Sequence, residues 1–409
     1  MEKNTETERN FDVIVVGGGP AGLSAACLLS EQGVKTVVIS PFFPKKAPKG
    51  SRDPRTIAMM QPSVRLMEHL KLWPDVLESC SSPLMKLRLL DDSGHNFDGN
   101  EVTFSSEELS DEPFGWNVPL PELSLALLDK AKALGVELVV DEALSCPTKG
   151  NEIIVSTKSS GQFVAKAVVA ADGRNSNLRN SAGISVAKWS YDQFAIGAVF
   201  KHSGPHDDMS TECHKQDGPI TTVPMPDNHS SLVWMVRPDR AEQLMSLDDD
   251  VFASQIQREL HGALGVISEV TDRKAFAMEG LNAMTYGKNR VFLIGEAAHV
   301  VPPIGAQGLN MSLRDGAMAA ELIGDALAFD EDIGGDSVLE KYDTSRRRDV
   351  WPRQKAIDLM NRSLLSNIPV VHDLRAIGLK LVNKIKPLRD KVMREGISPD
   401  TNLPRIMQN

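Results

Sequence analysis

Gly17, Gly19 and Gly22 stand at Gly-x-Gly-x-x-Gly spacing inside FDVIVVGGGPAGLSAACLLSEQGVKTVVIS, residues 11–40. That spacing can bring a diphosphate against bare backbone. Gly17 permits the tight turn from strand to helix. Gly19 leaves no side chain in the path of a pyrophosphate, and Gly22 lets helix and strand pack closely. Pro20 and Ala21 belong to the same turn, where a helix N-terminus offers free N–H groups and partial positive charge. Flanked by an apolar run and a helical pattern, the motif points to a dinucleotide; the alternative is a tight βα turn with no ligand.

Ser40 is discordant. An acid at the end of the second strand normally accepts hydrogen bonds from the ribose hydroxyls of an adenosine. Serine accepts one bond and brings no charge. Three readings stand: tolerance of a 2′-phosphate, a ribose held by other groups, or a plain strand end.

Two further stretches carry the same kind of chemistry. In AKAVVAADGRNSNLRNSAGI, residues 165–184, a buried strand runs into Asp172-Gly173. Ligands of open α/β sheets bind at that C-terminal edge, although a strand ending in Asp-Gly is often only a turn. In RVFLIGEAAHVVPPIGAQGLNMSLRDG, residues 290–316, a strand ends at Gly295-Glu296, and Gly305, Gln307 and Gly308 lead into a helix from Leu309 and Asn310. A second helix N-terminus with flexible backbone is thus aimed at something electron-rich. His299 has no acid or nucleophile beside it in the sequence. It reads as structural rather than as a catalytic base.

The elements that must position these residues follow from the pattern. Residues 11–16 and 36–39 read as buried strands around a helix over 20–32, a βαβ unit. Residues 41–54 read as a loop, 55–79 as helix interrupted at Pro62 and Pro74, and 121–134 as helix. LMKLRLL, FAIGAVF and SLVWMV alternate as antiparallel strands do. The expected architecture is α/β. A discontinuous parallel-sheet domain (11–83, 111–184 and 281–334) is interrupted by an antiparallel β-sheet domain (84–110 and 185–280), and a helical region covers 335–409.

The chain has 409 residues, 41% of them apolar, and a formal net charge of −10. Its acidity argues against nucleic-acid partners. The four cysteines form no CxxC pair, which argues against a metal site and fits a reducing compartment. The start, MEKNTETERN, is unlike a signal peptide, and no run is long enough to span a membrane. The expected location is cytoplasmic, with a peripheral contact at the inner face of the membrane left open.

In this order and at these separations, the three motifs resemble the flavin-dependent aromatic hydroxylases of the para-hydroxybenzoate hydroxylase type. The likeness is closest to the hydroxylases of ubiquinone biosynthesis, and it covers nearly the whole chain. GGGPAG is similar to the ADP-binding turn, ADGRNSNLR to the Asp-Gly motif, and GEAAHVVPPIGAQGLN to the most specific signature, in which Asp usually follows the Gly. SRDPRTIAM (51–59) resembles the Asp-x-Arg segment of the ubiquinone subgroup. FGWNVPLPELSLAL (114–127) resembles the stretch that contacts the flavin side chain, and RAIGLKLVNKIKPLRDKVMR (375–394) resembles that subgroup's C-terminal end.

The resemblance implies an FAD-dependent monooxygenase that hydroxylates the aromatic ring of a polyprenylated phenol, through a flavin hydroperoxide formed with O2. NADPH or NADH is the implied electron donor; a partner protein is the alternative. The fold implied is a Rossmann-like FAD-binding domain and a β-sheet substrate domain. The glycine turn would hold the diphosphate, with Asp172 and Gly173 near the diphosphate and ribityl chain. Arg55 would reach the ribityl or phosphate side, its alternative being an exposed salt bridge. Asn117 and Glu296 would bond the ribityl chain, and Gly305–Asn310 would face the flavin ring. Trp234, Met235 and Phe200 are candidate pocket lining, or else sheet core. No side chain is singled out as a catalytic acid or base.

In the tail, Lys380, Lys384, Lys386, Arg389, Lys391 and Arg394 alternate with apolar residues, as a membrane-surface or complex-forming helix would. A packed helix with a solvated basic face has the same pattern. Competing functions are a hydroxylase of a small soluble aromatic, a flavin reductase or halogenase, and a non-catalytic flavin-binding subunit. The Trp-x-Trp-x-Ile-Pro signature of halogenases is absent from the sequence.

Overall fold

The computed structural model describes residues 9–46, 53, 55–92, 101–271, 273–365, 378, 381–397 and 403–408. Part of the 41–54 loop, the start of SRDPRTIAM, and Lys380 with most of 366–380 lie outside the described residues.

Four short apolar segments, Val13–Val16, Thr36–Ser40, Ala167–Ala170 and Val291–Leu293, are buried along their whole length. Strands buried on both faces pair in parallel under helices, and these do. The sheet runs Gly287–Lys288, Val291–Leu293, Ala167–Ala170, Val13–Val16, Thr36–Ser40, Glu137–Val140, parallel except at its first edge. Val169 lies between Val15 and Phe292, and Val15 pairs with Val38. This register brings Val16, Ser40, Ala170 and Leu293 to one edge, where all the glycine-bearing turns begin.

Two helices cover one face. Pro20–Glu31 starts with Pro at its first turn, where the missing N–H costs nothing. It packs on Gln307–Ala328 through small residues. A Cβ on Gly316 would sit 3.2 Å from the Cβ of Ala25 and 3.3 Å from the Ala21 carbonyl oxygen. The tight helix crossing holds the two uncapped N-termini in a fixed relation.

A nine-stranded sheet forms the second layer, in the order His299–Val300, Lys274–Ala283, Val186–His202, His229–Val236, Ile220–Met225, Met209–His214, Lys86–Asp91, Glu101–Ser105, with Ile267–Ser268 beside Val186–His202. It is antiparallel except that Met209–His214 runs parallel to Lys86–Asp91. Helices Pro238–Ser246 and Asp249–Glu259 cover one face, packing Leu244 and Phe252 against Phe200 and Trp234.

One expectation is corrected here, and one open alternative is decided. Residues 56–60 are not helical. Thr56–Met60 is a strand paired antiparallel with Gly115–Pro119, and helix begins only at Gln61. A local helical reading misses a partner strand some sixty residues away. Neither Trp234 nor Phe200 is on the wall of the large cavity described below; Trp234 packs 6.0 Å from Phe252 on the helix-covered face. Met235 points the other way but is sealed in a cluster with Ile304 and Ile357.

The C-terminal region contributes Asp336–Leu365 and Lys386–Ile397. Among the described residues, no helix is long and apolar enough to cross a membrane.

Candidate active site

The glycine turn divides its work between packing and opening. A Cβ on Gly17, at φ +122°, would lie 2.2 Å from the Ala171 carbonyl oxygen, and one on Gly22 would lie 2.1 Å from that of Gly17. These two glycines are required by the fold itself. Gly19 differs: a Cβ there meets nothing within 4 Å. It caps a helix that has no side-chain cap, leaving orphan N–H groups facing open space. Beside the turn, buried Ser40 donates its hydroxyl to the Phe42 carbonyl at 2.7 Å. Only its lone pairs remain for a ligand.

At the neighbouring strand end, Asp172 turns inward. It accepts from the Ser176 hydroxyl at 2.5 Å and the Leu178 N–H at 3.2 Å, and burial pushes its carboxyl up. Gly173 has φ +83° and open space where a Cβ would point. Arg174 reaches across to Glu296 in a two-pronged pair at 3.1 and 3.0 Å. Buried Arg179 donates to the carbonyls of Ala297 and Arg174, locking the Asp-Gly turn to the Gly295 turn.

The third turn opens on a cavity of about 870 Å³. Gly305 and Ala306 take left-handed φ values of +62° and +54°, and the helix that starts at Gln307 has no side-chain cap. Its positive end forms part of the wall through Gly305, Gln307, Gly308 and Leu309. Gln307 itself donates to the Gly305 carbonyl at 3.0 Å.

Asn310 is spent elsewhere. Its Oδ1 accepts from Met60 N–H at 3.0 Å and Ser63 Oγ at 2.7 Å, and its Nδ2 donates to Ala58 at 2.8 Å and Ala306 at 2.7 Å. All four hydrogen-bonding positions of the amide are used. Asn310 therefore fastens the loop to strand Thr56–Met60.

Asn117 lies on the cavity wall, donating to the Pro224 carbonyl at 2.9 Å. Its buried Oδ1 has no partner among the described residues, a costly state that a ligand hydroxyl would relieve. Arg55 is not on the wall. It is 56% exposed and pairs with Asp53 at 2.6 Å.

The fold thus brings Gly17–Gly22, Ser40, Gly173 and Glu296 to one sheet edge, and Asn117 with Gly305–Leu309 to the adjoining cavity. Asp172, Asn310 and Arg55 point their side chains at protein groups instead. Two uncapped helix ends, glycine surfaces open at Gly19, Gly173, Gly305 and Gly308, and the unpartnered Asn117 oxygen fit an extended dinucleotide carrying a planar ring system.

One buried network was invisible in the sequence. His299 does have a carboxylate partner: Asp315, sixteen residues on, meets its Nε2 at 2.7 Å. Asp315 also accepts from Arg346 at 2.7 Å and from the Gly295 N–H at 2.9 Å. Burial alone would raise the Asp315 carboxyl; His299 and Arg346 overcome that and hold it below the usual range. Asp349 is likewise held down against burial by Arg346, Arg314 and Arg353. The helical spacing of Arg346, Asp349 and Arg353 was the available signal, but nothing local told that Asp315 and His299 would join them.

The chain matches the family model described as FAD binding domain over residues 10–355. It is 32% identical to the ubiquinone hydroxylase UbiL of Rhodospirillum rubrum, over 97% of this chain and 92% of that protein. It is 28% identical to the mitochondrial ubiquinone biosynthesis monooxygenase COQ6 of Danio rerio, over 96% and 91%. Its fold is similar to that of p-nitrophenol 4-monooxygenase PnpA from Pseudomonas putida, with a TM-score of 0.74, 18% identity, and coverage of 95% of this chain and 98% of that one.

Proposed function

The chain belongs to the FAD binding domain family of flavin-dependent monooxygenases, and on that premise we propose that it hydroxylates the ring of a polyprenylated phenol in ubiquinone biosynthesis. The observation that carries this reading is the shape of the cavity. It starts at the positive helix end around Gly305 and runs to Met360, Val392 and Met393 between the two C-terminal helices. Met360 and Val392 are 38% and 42% exposed. A ring at the inner end can therefore trail an apolar chain to the surface. A small soluble aromatic has no use for that extension.

Gly17–Gly22 and the N-terminus of Pro20–Glu31 would hold the diphosphate of FAD, with Ser40 near the adenosine ribose. Gly173, Glu296 and the Asn117 oxygen would meet the ribityl side. FAD, when bound, would supply the redox chemistry, with NADPH or NADH as reductant, O2 as oxidant and water as the second product. The backbone of Gly305–Leu309, at the positive helix end, would stabilise negative charge on the flavin ring. The apolar walls orient the substrate and exclude water.

Glu296→Ala removes the carboxylate and frees Arg174 at the edge of this groove. FAD affinity is expected to fall about tenfold, as for loss of one charged hydrogen bond. Fluorescence titration with FAD reads this directly, and unchanged affinity removes Glu296 from the site.

Leu381, Ile385, Leu388 and Val392 are exposed at helical spacing, and Lys384, Lys386, Lys391 and Arg394 are exposed around them. Arg389 is different. It pairs with Glu108 at 2.6 Å, stacks over Phe104, and holds the Glu108 carboxyl down at about 2. That pair docks the helix on the cavity, and the apolar stripe with its basic rim faces out toward an anionic bilayer. Leu388→Asp with Ile385→Asp should cut binding to vesicles containing anionic lipid at least tenfold while leaving FAD affinity unchanged. Equal sedimentation of variant and native protein with vesicles would remove this surface from the reading.

The function itself is tested by incubating the FAD-loaded protein with NADPH, O2 and a farnesylated phenol. A product heavier by one oxygen atom is expected. NADPH oxidation without product would turn the assignment to an oxidase or to a different substrate.

A further inference from the structure

Hydroxylation of a phenol is easier as the ring becomes richer in electrons, which happens as the hydroxyl proton leaves. We propose that Glu212, oriented by His214, accepts the hydroxyl hydrogen bond of the phenolic substrate and takes its proton during the reaction. The inference rests on the phenol reading of the site given above.

Strand Met209–His214 alternates its side chains, so Ser210, Glu212 and His214 share one face. Register places Glu212 opposite Thr221 and Leu89, and Thr221 opposite Val233. Val233, Thr221, Glu212 and Leu89 all lie on the cavity wall. Val233 packs against the cluster that holds Ile304, immediately before Gly305. One end of this row thus lies beside the helix-end loop, and Glu212 lies two strands further along the same cavity wall.

Two acids lie on the cavity wall, Asp349 and Glu212. Asp349 is saturated: Oδ1 accepts from Arg353 at 2.8 Å and Oδ2 from Arg346 at 2.9 Å. Glu212 is not. Its Oε1 meets His214 Nε2 at 2.8 Å, while Oε2 carries no hydrogen bond from any described residue. The Glu212 side chain is 14% exposed and that of His214 is 5% exposed. Glu212 Oε2 is not fully buried, so on this mostly apolar wall it stays within reach of a ligand donor. Arg88, a cation on the adjoining strand and on the cavity wall, is taken up by Glu101 at 2.8 Å. Arg348, Asp349 and Arg353 are the charged groups that helix Asp336–Leu365 turns to the cavity.

The step is a proton transfer. The phenol O–H bond breaks, its proton passes to Glu212 Oε2, and the electron pair stays with the oxygen and enters the ring as the new C–O bond forms and the O–O bond of the O2-derived oxidant breaks. The ring carbon then loses its own proton to the departing oxygen, which leaves as water, aromaticity returns, and Glu212 gives its proton back to the phenolate. The oxidant and reductant are those of the hydroxylation itself. His214 acts through Glu212 and is a positioning residue.

The test uses oxidised, FAD-loaded protein, a farnesylated phenol and the O-methyl ether of that phenol, with binding followed by the change in flavin absorbance. The native protein should prefer the phenol by about tenfold to hundredfold, and Glu212→Gln should reduce this to a few-fold. FAD affinity should not change. In turnover, Glu212→Gln should lower kcat on the order of a hundredfold near neutral pH with little change in KM. Its rate should then climb with pH toward the phenol's own ionisation, near 10 for an ordinary phenol, a rise the native protein lacks. His214→Gln should show a smaller loss of kcat with the same pH signature.

A Glu212→Gln protein that keeps the native preference and pH profile overturns the proposal and leaves the hydroxylase reading standing. So does a native protein that binds phenol and ether alike. Binding of neither compound by FAD-loaded protein overturns both.

Discussion

Gly19→Val is expected to yield a folded protein that has lost FAD, with affinity lower by at least about a thousandfold. The backbone at Gly19 has φ −83° and ψ 175°, ordinary for any L-residue, and a Cβ there meets no protein atom within 4 Å. The fold therefore has no use for glycine at this position. What valine fills is the space in front of the uncapped N–H groups, where a diphosphate must come to backbone distance. The neighbouring glycine is the control. Gly17→Ala puts a methyl group 2.2 Å from the Ala171 carbonyl at a φ of +122°, and should damage folding itself. Circular dichroism, thermal melting and the visible flavin spectrum separate the two. A Gly19→Val protein that purifies yellow, with native affinity, would place the diphosphate elsewhere.

The second large effect is on stability. Asp315→Ala should cost roughly 3–5 kcal/mol, the usual consequence of leaving a buried charge without its partner. The Arg346 side chain is 0% exposed, and Asp315 and Asp349 are its carboxylate partners. Removing Asp315 also leaves the Gly295 N–H and His299 without their acceptor, so the Gly295–Glu296 turn should loosen and FAD affinity fall with stability. Urea denaturation of FAD-free protein isolates the first effect. A cost below about 1 kcal/mol would mean that the cavity refills with water or that Asp349 takes over.

The same network sets a pH dependence. Asp315 and Asp349 have folded-state values below the roughly 3.9 of an unfolded aspartate. Their contribution is present above that value and is lost as pH falls through the folded values. Native stability should thus drop on acidification below about pH 5, and the Asp315→Ala protein should drop less over the same interval. Parallel pH curves for the two proteins would show that this carboxylate contributes no linkage.

The sequence alone determined the features whose physics is local. A strand–glycine turn–helix is legible because Gly17 and Gly22 answer to contacts within one βα unit, and Pro20 marks the helix start. Buried strands are legible because nothing polar interrupts VIVV or AVVA. The resemblance built on three such turns led to the family, since their order along the chain carries that information without any coordinates.

Only the tertiary structure decided where side chains point. Asp172 and Asn310 look like ligand groups in a motif, yet one caps a short helix and the other fastens a loop to a strand from 250 residues earlier. Thr56–Met60 is a strand because Gly115–Pro119 lies beside it, and no local propensity reports a distant partner. The acid for His299 and the row that puts Glu212 on the same cavity wall as Gly305 likewise exist only once register and helix crossing are set. Hydrogen bonds between residues far apart in sequence depend on directions that the fold as a whole imposes, whereas a turn depends on its own few residues.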